Sequence, residues 1–314
     1  MKSPPVLLIM FNRPDLAEQV FGCIREAAPP KLYLAVDGPR AGRENEAIAV
    51  AECRAIQESV DWPCEVYTLF SEVNQGCGAG VRAAIDWFFS CEEAGIILED
   101  DCKPHPSFFR FCEEMLDRYK DDTRVFSVGG FCELDSECFA NCSYQFSIYN
   151  LIWGWASWRR AWQCHNFKTK AMEEALQGDW LLSHVASGEA AAYWRKHISS
   201  ALSGDVDTWD FQWRLAIWMN DGLSIVPSSN LIENIGFDTR STHTAHPDKR
   251  YYGFGAIGID FPLIHPETVE RSRLLDETLD KQRFRIGVPV PRRSPLDFAK
   301  AVARRLYRTV FPQA

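Results

Sequence analysis

Long apolar runs are missing from this chain. The longest near its start, Val6 to Phe11, is closed by Asn12-Arg13-Pro14-Asp15, whereas a membrane-spanning helix needs about 18 or more apolar residues. The same stretch lacks the basic leader and small-residue cleavage site of a secretory signal. Basic charge is also scarce. Lys+Arg number 34 against Asp+Glu 43, a net charge of −9, which excludes a generic nucleic-acid binder, because such a protein needs surplus Lys and Arg to release counterions from phosphates. There is no Pro/Gly/Ser or Gln bias, no internal repeat and no low-complexity tract, so fibrous and wholly disordered readings fall away. Among the cysteines no CxxC pair occurs.

What is present is the composition of a soluble globular protein, 46% hydrophobic and 25% charged over 314 residues, enough for one large domain or two fused ones. Aromatics are abundant, with 11 Trp, 20 Phe and 9 Tyr. All 11 cysteines fall between Cys23 and Cys164. An odd number without regular spacing reads as free, mostly buried thiols, which points to the reducing cytoplasm. Cys132, Cys138, Cys142, Cys164 and His165 offer ligand types for zinc, although not in a recognised spacing.

The first half alternates. Apolar β-rich runs at Val6–Phe11, Leu32–Val36, Val66–Phe70, Gly95–Leu98 and Val125–Gly129 are separated by stretches of helical length. This is the pattern of βαβ units and a mostly parallel sheet, flanked by helices and buried on both faces. Ligands bind such sheets beyond the carboxyl ends of the strands. Asn12-Arg13, Asp37-Gly38, Glu72 to Gly76 and Glu99-Asp100-Asp101 occupy those positions. The second half does not alternate. It runs from the Trp-rich segment Trp153 to Trp162, through helical stretches around 171–182 and 189–202, to Gly204–Met219, a strand-like Leu223–Pro227 and a polar loop region ending near Gly255. No linker marks residue 150, so residues 1–290 read as one domain, 1–150 and 151–260 being two halves with different roles. The segment 291–314 is a basic tail. Between Arg292 and Arg308 six basic residues stand against Asp297 alone, and Phe298, Val302, Leu306 and Val310 recur every four residues. Such an amphipathic helix suits peripheral contact with an anionic membrane, or docking on its own protein with a solvated basic face.

Three carboxylates directly after a buried strand, in Gly95-Ile-Ile-Leu-Glu-Asp-Asp101, concentrate negative charge where it is costly unless neutralised. A divalent cation shared with a diphosphate would do this, since Mg²⁺-like ions favour one or two carboxylates plus substrate phosphates; a solvated acidic turn is the structural alternative. Asn74-Gln75-Gly76-Cys77-Gly78-Ala79-Gly80 opens a helix and could bring backbone N–H groups to a phosphate, or be a permissive turn; it matches neither GxGxxG nor the Walker pattern. Asp205, Asp207 and Asp210 crowd the start of the helix in Trp-Asp-Phe-Gln-Trp, where helix physics alone makes them capping acids. Trp158 and Trp162 read as a helical core stripe. Trp153 and Trp155, straddling Gly154, offer flat faces to a sugar ring.

In the order of these motifs the chain resembles the GT-A glycosyltransferases, most closely the N-acetylglucosaminyltransferase I type, over roughly residues 5–244. Phe11-Asn-Arg-Pro-Asp15 resembles that family's first strand and turn, Leu32-Tyr-Leu-Ala-Val-Asp-Gly38 its second, Asn74–Ile85 the helix by the donor, Ile97-Leu-Glu-Asp-Asp101 the acidic motif, and Trp209-Asp-Phe-Gln-Trp213 the segment supplying the base. The resemblance implies a metal-dependent inverting transferase moving a sugar from a nucleotide-diphosphate donor, a UDP-sugar, to a hydroxyl of a glycan or lipid-linked saccharide. It implies that Arg13 meets the nucleotide and Asp37 the base; that Asn74 and Gly76 flank the donor; that Glu99 touches the donor sugar and Asp100 the ribose or metal; that Asp101 ligates Mn²⁺ or Mg²⁺; and that Asp210 is the general base, with Asp207 in reserve. Trp153, Gly154 and Trp155 fall on the acceptor side. In Ser241–His246, which departs from the family pattern, His243 would complete the metal shell, with Lys249, Arg250, Gly253 and Gly255 closing over the diphosphate. The alternatives are a nucleotidyltransferase, which would carry a Gly-rich basic signature after the first strand where Phe11–Asp15 has none, and a non-catalytic carbohydrate-binding protein.

Overall fold

The computed structural model describes residues 3–134, 136–165, 170–237 and 254–288. In chain order its strands are β1 (Val6–Met10), β2 (Lys31–Val36), β3 (Glu65–Phe70), β4 (Ala94–Glu99), β5 (Cys102–Pro104), β6 (Val125–Gly129), β7 (Tyr144–Ser147), β8 (Trp155–Trp158), β9 (Leu223–Pro227) and β10 (Ile232–Asn234). Its helices are α1 (Pro14–Ala27), α2 (Glu44–Ala55), α3 (Gly76–Cys91), α4 (Pro106–Arg118), α5 (Arg159–Trp162), α6 (Lys170–Gln177), α7 (Trp180–His184), α8 (Gly188–Ser203), α9 (Asp210–Met219) and α10 (Arg273–Gln282). No helix among the described residues is long and apolar enough to cross a membrane.

Eight strands form one sheet in the order β3-β2-β1-β4-β8-β6-β9-β7. The βαβ pattern of the first half becomes four adjacent parallel strands, β3-β2-β1-β4. Strand β8 runs antiparallel to both β4 and β6, β9 is parallel to β6, and β7 closes the far edge antiparallel to β9. The class is therefore α/β with a mostly parallel central sheet flanked by helices, as the alternation predicts. Strands from both sides of residue 150 share this sheet. Strands β1, β4, β6 and β9 are buried along their whole length or nearly so, the result of helices covering both faces.

Register aligns the chemistry. Met10 pairs with Val36 and Ile9 with Glu99, so the residues following β1, β2 and β4 emerge side by side on one edge. Pro14 opens α1 with its fixed φ, and Leu16, Ala17, Val20, Phe21 and Ile24 bury one stripe of that helix, which holds the Asn12-Arg13 turn against the sheet.

The aromatic segment departs from expectation. Trp155–Trp158 is strand β8, and the helical turn holding Trp162 begins only at Arg159. Trp155, Trp162, Trp209 and Trp213 form one buried cluster, with Trp155 stacked on Trp209 at 5.6 Å. Much of the tryptophan excess therefore packs the second half of the core instead of lining a saccharide platform. All 11 cysteines are free. Among the described residues no three His, Cys, Asp or Glu side chains come together as a metal site, so the zinc reading of Cys132, Cys138, Cys142, Cys164 and His165 is not realised. The basic tail, 291–314, lies outside the described residues.

His165 sits against Trp162, with ring centroids 4.2 Å apart, and against Trp213 at 5.5 Å. Burial, reinforced by the charge of Arg82, pushes its pKa down to about 3. The fold thus favours the neutral ring, and its contribution is complete above the unfolded value near 6.5 and is lost as pH falls from there toward 3. By this linkage about 2 kcal/mol should be lost at pH 5. Urea titrations at pH 7.5 and pH 5 should show that loss in the wild type and a much flatter acid limb in His165→Phe.

Candidate functional site

The edge defined by the ends of β1, β2 and β4 opens into a cavity of about 310 Å³, a size typical of small-ligand sites. Its floor includes Ile9, Met10, Val36, Leu69, Val81 and Ala84. Arg13, Asp37, Arg40, Asn74, Glu99, Asp100 and Asp207 bring polar groups to its wall.

The acidic triplet dominates the electrostatics. Asp100 is 3% exposed and accepts from the Phe11 amide at 3.3 Å. Arg13 donates through one nitrogen to both Asp100 and Asp101, the latter at 2.9 Å. Burial disfavours the guanidinium charge, but these two carboxylates more than offset it and hold Arg13 above its ordinary pKa. The reverse balance governs the acids. Burial, added to the charges of Asp101 and Asp100, pushes Glu99 up to about 8. Burial pushes Asp100 up to about 6 in spite of Arg13. Among the described residues the guanidinium paired with these carboxylates is that of Arg13, which leaves an imbalance that a divalent cation would correct.

The chain closes tightly around this pair. Strand β5 leaves the triplet directly and pairs antiparallel with β10, and the Ile235 amide donates to the Asp101 carbonyl at 2.8 Å. A Cβ at Gly236 would lie 2.1 Å from Asp101 Oδ2 and 2.8 Å from an Arg13 nitrogen. Only glycine permits this approach. Nothing in Asn234-Ile-Gly-Phe as a local pattern announces it.

Asp37 and the glycine motif behave otherwise than the resemblance implies. Asp37 Oδ1 accepts from the amides of Gly38 and Gln75 at 2.8 and 2.9 Å, and Oδ2 from Asn74 Nδ2 and the Gly76 amide at 2.9 and 3.2 Å. Its acceptor capacity is thereby occupied, so it fastens the start of α3 and is not free to receive a nucleobase N–H. Burial still raises its pKa, against the lowering effect of those amides. Asn74 donates its two N–H groups to Asp37 and to the Gly38 carbonyl. With both neighbours acceptors, the amide orientation is determined, and among the described residues Oδ1 of this cavity-wall residue has no donor. The Cys77 and Gly78 amides, read from sequence as a phosphate cradle, are taken by Asp207.

Asp210 opens α9 and accepts from Thr208 Oγ1. Its charge is felt at Glu99, at Cys77 and at the buried Arg214, which brings it into the same electrostatic neighbourhood as the triplet. Neither Asp205 nor Asp207 caps α9: Asp205 accepts from Ser203 Oγ at 2.7 Å. Of the acceptor-side residues, Trp155 is 1% exposed and its ring is sandwiched in the core, so it offers no face to a sugar. Gly154 is buried against Ile232. Trp153 is half-buried, its ring 4.6 Å from Phe131 and beneath the Arg283 guanidinium at 4.8 Å. His243, His246, Lys249, Arg250 and Gly253 lie outside the described residues.

One group was not anticipated. Arg40 lies over the Phe11 ring at 5.4 Å and is paired with Glu46, which also accepts from Asn12 at 3.1 Å. The Arg40 hydrogen bond is the main cause that holds Glu46 down at about 2. This network joins the turn after β1 to the loop after β2. Its position just beyond a strand was the available signal.

No family model and no curated protein matches this chain. Among solved structures, UDP-glucose pyrophosphorylase complexed with UDP-glucose matches at 12% identity over 71% of this chain and 90% of its own, with a TM-score of 0.35. Mouse xyloside xylosyltransferase 1 matches at 12% identity over 68% and 81%, with a TM-score of 0.34.

Arg13→Ala removes the guanidinium paired with Asp100 and Asp101 and should lower stability by about 3 kcal/mol, the usual scale for orphaning a buried charge. Asp100→Asn added to that background should recover part of it. Urea denaturation of the single and double variants measures both; a double variant no more stable than Arg13→Ala would show that charge is not the cause.

Proposed function

We propose that this protein is a glycosyltransferase that takes a sugar from a nucleoside-diphosphate donor, a UDP-sugar, and transfers it with inversion to a hydroxyl of a saccharide or lipid-linked acceptor. The observation that carries the reading is the charge imbalance at the cavity edge, where Glu99 and Asp100 line the wall, Asp101 follows them, and Arg13 is the cation that pairs with both aspartates.

The donor set fits a hard divalent cation. The groups are carboxylates, the ligand type that Mg²⁺ and Mn²⁺ prefer when one or two of them are completed by phosphate oxygens. Asp101, with a side chain 17% exposed, would hold the ion and Asp100 would support it. When bound, such a cation would neutralise the departing diphosphate. Arg13 then has phosphate oxygens as an alternative partner to the carboxylates, in the bidentate geometry that guanidinium favours.

The remaining steps belong to the chain. The apolar floor of the cavity receives a base, and Asn74 Oδ1 accepts from its edge. A uracil presents N3–H to that oxygen, whereas cytosine presents a lone pair. Asp210 takes the proton of the acceptor hydroxyl as its oxygen bonds to the anomeric carbon, and the bond from that carbon to the diphosphate oxygen breaks with the electron pair leaving on the diphosphate.

Calorimetry with UDP should show Mn²⁺-dependent binding in the wild type and loss of that dependence in Asp101→Ala; unchanged binding would remove the metal assignment. The preference for UDP over CDP should narrow about tenfold in Asn74→Ala, the cost of one unpaired edge contact. Asp210→Asn should bind UDP as the wild type does while transfer falls by about 10²-fold to 10⁴-fold. Retained turnover would reassign the base.

A further inference from the structure

Helix α3 does not cap itself. Gln75, at its N-cap position, makes no side-chain cap bond, and the first-turn amides of a helix have no partner within it. Asp207 supplies one from 130 residues away: Oδ2 accepts from the Cys77 amide at 2.9 Å and Oδ1 from the Gly78 amide at 2.8 Å. Two glycines make room for it. A Cβ at Gly76 would stand 2.6 Å from Asp207 Oδ2, and one at Gly78 would stand 2.7 Å from Oδ1 and 3.0 Å from the Thr208 carbonyl. The contact is also electrostatically apt, since a carboxylate at a helix N-terminus meets the positive end of the dipole.

The other side of the contact is the start of α9. Trp209, at the N-cap position of α9, makes no side-chain cap bond either, and Thr208 donates to Asp210. The short segment 207–210 therefore carries the carboxylate that grips α3, the hydroxyl that orients Asp210, and Asp210 itself. The start of α3 is in turn held by Asp37 at the end of β2 and lines the cavity.

We propose that Asp207 is a positioning residue that fastens the start of α9 to the start of α3 and so sets Asp210 against the donor cavity. The proposal rests on Asp210 being the base. Asp207 itself touches no reacting atom in this scheme. The Gly-Cys-Gly motif thereby gains a use distinct from phosphate binding: it is the socket for a carboxylate from the opposite half of the chain.

The test uses the full chain and amide hydrogen exchange, read by mass spectrometry on peptides covering 75–80 and 208–216, with UDP and Mn²⁺ as probes. In Asp207→Ala, exchange should accelerate about tenfold in both peptides together, because each helix start loses its fixed partner. Asp207→Asn, which keeps one acceptor oxygen, should fall between that variant and the wild type, and is read in the same way if Asp207→Ala does not fold. With the UDP-sugar that supports turnover, kcat should fall about 10²-fold, the scale of a small displacement of a catalytic group, while the donor KM changes less than threefold. Acceleration confined to 75–80, with kcat preserved, would overturn the proposal and leave Asp207 a local helix cap. Asp210→Asn assayed alongside separates the two readings: if it turns over normally, Asp210 is not the base, whereas the exchange result alone decides whether Asp207 couples the two helices.

Discussion

The arrangement depends on one unbalanced interaction: three carboxylates at the end of a buried strand meeting, among the described residues, the guanidinium of Arg13. A carboxylate removed from water must be compensated locally or take up a proton, and here both occur. Arg13 is held charged between Asp100 and Asp101, while Glu99, with no guanidinium of its own, is pushed up to about 8 by burial and its acidic neighbours. Much of the nearby architecture serves that cluster. Helix α1 fixes the Arg13 turn, the β5–β10 ribbon brings Gly236 against Asp101, and the Arg40–Glu46–Asn12 network steadies the opposite wall. In the proposed function a second positive charge, and an anion able to share it, would complete this site.

A second constraint links the halves of the chain. The start of α3 receives Asp37 from the parallel strands and Asp207 from the segment leading into α9. Two carboxylates on one helix terminus use the same unpaired amides that would otherwise be open to a phosphate. In the proposed function Arg13 and the acidic triplet, and not the start of α3, would meet the phosphates, and α3 would be the common reference for the donor wall and for Asp210.

Most of the parallel half was legible because a strand buried on both faces must be apolar along its length; β3, at the edge of the sheet, is largely exposed and was legible only as a β-rich run. The runs at Val6, Leu32, Val66, Gly95 and Val125 correspond to β1, β2, β3, β4 and β6 within a residue or so. The carboxyl-edge rule then pointed to Arg13, Asp37 and the Glu99–Asp101 triplet, and the fold brings these to one cavity or its margin. Strand β8 was not legible. Trp155-Ala-Ser-Trp158 sits in a sequence with helical aromatic spacing, and its antiparallel place between β4 and β6 comes from tertiary pairing. The partners of short polar motifs were equally hidden. Nothing local to Gly76–Gly80 indicates that its amides belong to Asp207, and nothing in Val36-Asp-Gly38 indicates that four N–H donors saturate Asp37. Trp155 looked like a platform because it straddles Gly154 with Trp153, yet Trp209 and Trp213 close over it in three dimensions.

The central claim is that the triplet and Arg13 together receive a cation-bound nucleoside diphosphate. Anomalous scattering from crystals grown with Mn²⁺ and UDP tests it most directly. One strong manganese peak should lie beside Asp101 at the diphosphate, with the uridine in the cavity lined by Asn74 and Arg13. Uridine diphosphate bound in that cavity with no manganese peak near Asp100 or Asp101, or a peak coordinated elsewhere on the chain, would contradict it.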